Sequence, residues 1–262
     1  MFSAHLIVPL NGIRRYSRSK KLKHAWFFAH LIVPLQAIMQ MFEKLQELPL
    51  LMGLSKTELL SIVERVKFDF RKHAEGTTLV SQGERCDRIV YVLSGTVCAD
   101  LHDAEHGFLL SEYTESVPMV LEPQNLWGMK QKFSRSYMLV TEGSTCSIDK
   151  RQLNNLISSY ELVKTNVLSL VCNKLQGVTS QLCKRWPNST EGRIVRFIRN
   201  HSLTDMGHKV LHIKMQTLAD LTCDTRLNVS MVLNRWQHEG LVSIRRGVVE
   251  FPDFSQTLNI EH

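Results

Sequence analysis

The sequence predicts an α+β chain in successive parts: a small antiparallel β-barrel or sandwich, one long helix, and a helix-turn-helix with a β-hairpin wing. Three observations carry that expectation. Between residues 68 and 148, short apolar runs alternate with glycines. From Lys150 to Lys184 there is no proline and one glycine, Gly177. Residues 214–251 read as two short helices around a tight turn, followed by two apolar strands. With 262 residues, 44% of them hydrophobic, the chain is long enough for two modest domains, each with its own core.

The first forty residues stand apart. Ala4–Leu10 recurs letter for letter as Ala29–Leu35, and two copies do not make a solenoid. Between them lies a basic run of Arg14, Arg15, Arg18, Lys20, Lys21 and Lys23. The apolar stretch Ala25–Met39 imitates a signal peptide, but His30, Pro34 and Gln36 interrupt it, it is too short to span a bilayer, and no small-x-small cleavage site follows. Residues 1–40 are expected to be a non-native or disordered extension, with Met39 or Met41 as the natural start. A signal-like segment and an arm touching DNA phosphates are the alternatives.

Residues 41–149 are expected to form the barrel. Ser55-Lys-Thr-Glu58 has capping-box spacing ahead of Leu59, Leu60, Ile62 and Val63, so a short helix starts there. Strands are expected at 78–80, 89–93, 96–99, 108–110 and 137–141, set off by Gly76, Gly83, Gly95, Gly107, Gly128 and Gly143. Residues 150–185 are expected to be one helix. Leu156, Tyr160, Val163, Val167 and Leu170 make one stripe at spacings of four and three; Leu168, Val171, Leu175, Val178 and Leu182 make a second. So wide an apolar surface exceeds what one small barrel covers, and the 3/4 alternation is a coiled-coil seam, which predicts a homodimer through residues 150–183. A helix packed only within its own chain is the alternative.

Trp186-Pro-Asn-Ser-Thr190 ends that helix and makes a hinge. A winged helix-turn-helix is expected over 186–252 and a tail over 253–262. After a helix at 191–201, Lys214–Thr222 gives a helix, Cys223–Thr225 a turn, and Arg226–Gln237 a second helix. Val229 and Leu233 lie on its inner face; Arg226, Leu227, Ser230 and Met231 lie outward, as a recognition helix presents to the major groove. Arg226 suits a bidentate guanine contact, Leu227 and Met231 suit thymine methyls, and Thr225, Asn228 and Ser230 suit bases or phosphates. Lys214, Gln216, Arg235 and the wing-tip pair Arg245 and Arg246 complete the candidate DNA contacts. A generic helical hairpin is the competing account of this block.

Charge agrees with that placement only when counted locally. The net +7 includes +6 from residues 1–40; residues 41–183 hold 15 Lys/Arg against 17 Asp/Glu, and residues 184–251 hold 11 against 6. The six cysteines form no C-x-x-C pair, so reduced thiols in a cytoplasm are expected rather than a zinc site or disulfides.

The order of parts over residues 41–252 resembles the superfamily of the cyclic-AMP receptor protein and the fumarate-nitrate regulator. Glu75-Gly-Thr-Thr-Leu-Val-Ser-Gln-Gly-Glu84, followed by Ile89–Val97, is similar to the opening of that family's β-roll; Gln216–Thr222 and Thr225–Val242 are similar to its helix-turn-helix. The resemblance implies a cyclic-nucleotide-binding-like jelly roll as sensor, a bacterial cytoplasmic regulator that reads palindromic double-stranded DNA, and RNA polymerase as a partner. Arg226 falls where the family has its base-reading arginine, whereas Leu227 and Met231 replace polar residues common nearby. The family's nucleotide binders carry a Gly-Glu pair for the ribose and an Arg-Ser pair for the cyclic phosphate. Arg135-Ser136 is present, but the Gly-Glu pair is missing. Glu122 is the candidate substitute, with Leu126, Trp127 and Gly128 beside it, and a cyclic nucleotide is not the favoured effector. No iron-sulfur or haem pattern, no metal and no cofactor is expected; His102 and His106 read as a solvated hairpin tip. No Ser/His/Asp or Cys/His set suggests an enzyme, and no membrane partner is expected. The competing class is a signalling module whose C-terminal domain does not read DNA.

Overall fold

The computed structural model describes residues 44–260, apart from Ser116 and Lys184. Expectations for residues 1–40 lie outside the described residues. The described residues from Gln46 onward form one compact unit.

A turn of 3-10 helix at Pro49–Leu51 precedes α1 (Lys56–Arg65). The capping box is formed at α1: the Ser55 hydroxyl accepts from the Glu58 N–H, and the Glu58 carboxylate accepts from the Ser55 N–H at 2.8 Å. Eight antiparallel strands come next: β1 (Asp69–His73), β2 (Thr78–Val80), β3 (Arg88–Ser94), β4 (Val97–Asp103), β5 (Phe108–Thr114), β6 (Met119–Val120), β7 (Ser136–Leu139) and β8 (Gly143–Asp149). One sheet runs β1-β8-β3-β6; β5, β4, β7 and β2 are neighbours in the other. Glycine is required where the β3–β4 and β7–β8 turns meet. Gly95 holds φ +101°, and a Cβ on Gly143 would stand 2.4 Å from the Ser94 carbonyl oxygen. Tyr91, Val92, Val97, Ala99, Leu110, Tyr137, Leu139 and Ile148 are among the buried residues of these strands.

The expected single helix over 150–185 is two: α2 (Lys150–Ser159) and α3 (Glu161–Leu182). Tyr160 between them is extended (φ −129°, ψ 109°), its N–H closes on the Leu156 carbonyl, and its hydroxyl donates to Ser61 at 3.1 Å. The break lets Leu153 and Leu156 bury beside the strands while Val163 and Val167 bury farther on, where the Asn166 amide donates to the carbonyls of Leu50 and Met52 at 3.1 and 2.9 Å. Two serines before Tyr160 weaken helix continuity, since their hydroxyls compete for local backbone groups; Ser158 donates to the Asn154 carbonyl. The two stripes therefore separate. The first has Leu156, Val163 and Val167 buried within the chain, whereas Leu168, Leu175, Val178 and Leu182 of the second are exposed.

The C-terminal part contains α4 (Thr190–Asn200), β9 (Lys209–His212), α5 (Met215–Leu221), α6 (Arg226–His238), β10 (Ser243–Arg245) and β11 (Val248–Phe251). Strand β9 was not anticipated. It pairs with β11 on one side and with β5 on the other, so a seven-stranded sheet runs β10-β11-β9-β5-β4-β7-β2 through both halves of the molecule. The expectation of two separate cores is corrected accordingly: Phe108 and Leu110 belong to the same apolar cluster as Ile194, Phe197, Leu211 and Trp236. The expected tail is structured where it is described, over residues 253–260. Phe254 begins a 3-10 helix (Phe254–Ile260), is fully buried, and meets Phe251 edge to face at 5.7 Å between centroids. Among the described residues no helix is long and apolar enough to cross a membrane, and no three His, Cys, Asp or Glu residues are grouped to hold a metal ion.

Candidate nucleic-acid interface

The site begins with a turn that sequence alone locates. The α5 C-terminus is closed by Thr222, whose hydroxyl donates to the Leu218 carbonyl at 2.7 Å; Cys223 then takes a left-handed φ of +52°. The α6 N-terminus is capped by Thr225, whose side chain accepts from the Asn228 N–H at 3.2 Å. Asp224 holds the turn to the rest of the domain. It accepts from Thr190 at 2.6 Å, from the Asn228 amide at 2.8 Å and from Arg193 at 3.4 Å. The Thr190 hydroxyl above all, then Asn228, the Thr225 N–H and the Arg193 charge, hold its carboxyl below the ordinary aspartate range despite an opposing effect of burial.

With both ends fixed, the helical period sorts the faces of α6. Val229, Val232, Leu233 and Trp236 point inward and are buried with Leu218 and Ala219 of α5 and with Ile194 and Ile198 of α4. The opposite face is open: Leu227 is 69% exposed and Met231 58%. Arg226 is exposed, Ser230 is half-buried, and Asn234, not among the expected contacts, continues the same exposed face, its amide 3.4 Å from the Ser230 hydroxyl. Its spacing of four from Ser230 was the available signal.

The remaining expected contacts divide. Lys214 is exposed at the start of α5, and Gln216, also exposed, donates to Asp220 at 2.8 Å. Thr225 and Asn228 are engaged in the helix start. Arg235 pairs with Glu191 at 2.6 Å, on the flank of α6 that faces α4. Arg245 pairs with Glu250 across the wing at 2.6 Å, which with His208 keeps the Glu250 carboxyl low. Among the described residues Arg226 and Arg246 make no ion pair, so both guanidinium groups are available to phosphate or base.

The residues expected around an effector are engaged by the chain itself. Glu122, buried and left-handed at φ 38°, accepts from the Ser134 N–H at 2.7 Å, the Ser134 hydroxyl at 2.9 Å, the Tyr137 hydroxyl at 3.1 Å and the Asn125 amide. Arg135 is buried, donates to Glu112 at 2.8 Å and also bonds the His201 carbonyl of the C-terminal part. The Ser136 hydroxyl accepts from the Gln82 N–H at 2.9 Å. Leu126 is fully buried, while Trp127 donates to Asn154 at 3.0 Å beside Gly128. Sequence reasoning missed Glu112 and Lys209, the latter also fully buried and donating to Glu112 at 2.5 Å. Burial pushes the Lys209 ammonium down from its ordinary value, and the Glu112 charge acts against that shift.

No family model matches the chain, and no curated protein does. Solved structures do. The chain is similar to the Catabolite Activator Protein of Thermus thermophilus, at 21% identity over 81% of this chain and 98% of that one, with a TM-score of 0.46. It is similar to the c-di-GMP responsive global regulator CLP of Xanthomonas campestris, at 20% identity over 73% and 98%, with a TM-score of 0.45. A putative transcriptional regulator of the Crp/Fnr family from Eubacterium rectale matches at 16% identity over 82% and 99%, with a TM-score of 0.47.

Proposed function

We propose that this chain is a DNA-binding transcription regulator of the Crp/Fnr type that acts as a homodimer. The observation that carries the proposal is the outer face of α6, where Leu227 and Met231 stand exposed beside Arg226 on a helix capped at its start and buried along its inner side. A monomeric domain gains nothing from two large apolar side chains in water, whereas thymine methyls cover them in the major groove. The second stripe of α3 supplies the dimer contact, and two copies related by a two-fold axis match a palindromic duplex. RNA polymerase as a partner and a cytoplasmic location follow from the family resemblance. An effector near Glu122, Leu126, Trp127, Gly128, Arg135 and Ser136 belongs to the same proposal. A cyclic nucleotide is disfavoured because Arg135 already holds a buried carboxylate.

Selection of bound sequences from random DNA by the full chain tests the reading. A palindrome with half-sites about 10 base pairs apart, centre to centre, is expected. At that site Arg226→Ala weakens binding by about 1–3 kcal/mol and relaxes preference at one position of each half-site. Absence of any enriched sequence overturns the proposal in favour of an assembly domain that does not read DNA.

A further inference from the structure

We infer that the β4–β5 hairpin is a latch by which the barrel holds the C-terminal domain, and that Glu112 is the residue that keeps it closed. Strand β5 adds to the edge of the wing sheet in the register Leu109↔His212, Leu110↔Leu211, Ser111↔Val210 and Glu112↔Lys209. The ladder continues through the Tyr113 N–H, which donates to the His208 carbonyl at 3.0 Å, while the two rings stack at 4.7 Å. Gly207 makes this approach possible: it holds φ +84°, and a Cβ there would lie 3.2 Å from the Tyr113 carbonyl oxygen. Phe108 packs edge-on against both Phe197 and His201, with centroids 5.3 and 5.1 Å away.

Glu112 closes the joint. Its buried carboxylate accepts from Arg135 of the barrel at 2.8 Å, from Lys209 of β9 at 2.5 Å and from the Leu203 N–H at 2.7 Å. Three separate segments thus converge on one side chain, two of them C-terminal to the Trp186–Thr190 hinge. A buried cation left without its carboxylate is far less favourable than a neutral pair, so losing Glu112's charge opens the joint, and removing Lys209 as well restores part of it, because Arg135 keeps the His201 carbonyl as an acceptor. As regulation of the DNA site, the inference rests on the proposed function, because opening frees α6 to move relative to the dimer helix.

Hydrogen exchange on the full chain tests the latch without DNA. In Glu112→Gln, which keeps the shape and an acceptor for Arg135, the amides of 109–113 and 209–212 exchange at least tenfold faster, while β3 and α6 keep their protection. The double variant Glu112→Gln/Lys209→Met, in which only Arg135 remains as a buried cation, regains part of the protection. Unchanged exchange in Glu112→Gln overturns the latch, as does acceleration spread equally through β3 and α6, or a double variant no better protected than the single one. DNA affinity is read on the same variants with the selected sequence. A shift of fivefold or more that the double variant reverses supports the regulatory role, and no shift confines Glu112 to holding the fold. If the parent chain selects no sequence, only the proposed function fails, since the exchange result stands alone.

Discussion

Shortening Leu175 to alanine removes a methyl-bearing branch from the middle of the exposed α3 stripe and, on the proposed dimer, is expected to weaken the pairing of two copies. In the single chain Leu175 is 63% exposed, with Leu168 at 56% and Leu182 at 68% on the same stripe. Burying a leucine side chain completely is worth about 1.5–3 kcal/mol, so covering the portion that Leu175 leaves open contributes about 1–2 kcal/mol per chain. Both copies lose it in a two-fold dimer, giving about 2–4 kcal/mol and a dissociation constant raised roughly 30- to 1,000-fold. The measurement is sedimentation velocity over a dilution series, with urea unfolding of the monomeric fraction as a check that the chain itself is intact. Val163→Ala, on the inward stripe, is the contrast: it lowers the stability of each chain and leaves association largely unchanged. Equal dissociation constants for the parent and Leu175→Ala, or a parent that stays monomeric throughout, refute the assignment of this face to a second copy.

Trp236 is fully buried where α6 meets α5 and α4, so Trp236→Ala costs about 3–5 kcal/mol in urea unfolding. Its indole N–H has no hydrogen-bond partner among the described residues, so Trp236→Phe costs clearly less than the alanine variant. Asp224→Asn lowers stability at pH 7 by about 1–3 kcal/mol through lost charge-assisted hydrogen bonds. Because the folded-state pKa of Asp224 is depressed, that contribution is present above about 3.9, the ordinary aspartate value, and disappears as pH falls through the lower folded value. The two unfolding curves therefore converge in acid, and a gap that widens there contradicts the assignment. Burial pushes the thiols of Cys86 up to about 11 and of Cys98 and Cys146 up to about 12, whereas Cys172, Cys183 and Cys223 are exposed. Iodoacetamide at pH 8 accordingly alkylates those three first, as peptide mass spectrometry reads directly.

The parts legible in the sequence are those fixed by neighbours along the chain. The expected helix Arg226–Gln237 is observed as Arg226–His238, since Thr225 as cap and the inward run Val229, Val232, Leu233 and Trp236 are local signals. The Ser55 capping box and the glycine-punctuated strands were equally readable. The break at Tyr160 was not, because the apolar period runs straight through it and the reason for bending lies in what each half packs against. Strand β9 escaped for a related reason. Lys209, Leu211 and Ile213 alternate as buried residues, but a lysine reads as an outward position until the carboxylate that neutralises it is known, and Glu112 is 97 residues away in sequence. Arg135 likewise suits an anionic ligand when read beside Ser136 alone, although the anion it meets is the chain's own.

A sheet that runs from the wing into the barrel also bears on how interchangeable the two halves are. A chimera joined at Trp186, with the C-terminal half transplanted onto a foreign sensor, would carry an apolar cluster without Phe108 and Leu110 and a β9 edge without its neighbour. That bare edge is a template for pairing with other copies, so such a graft is a candidate for aggregation rather than for rewired control. Exchange of the proposed DNA specificity is better made residue by residue on the outside of α6, where side chains meet solvent and the common sheet is left whole.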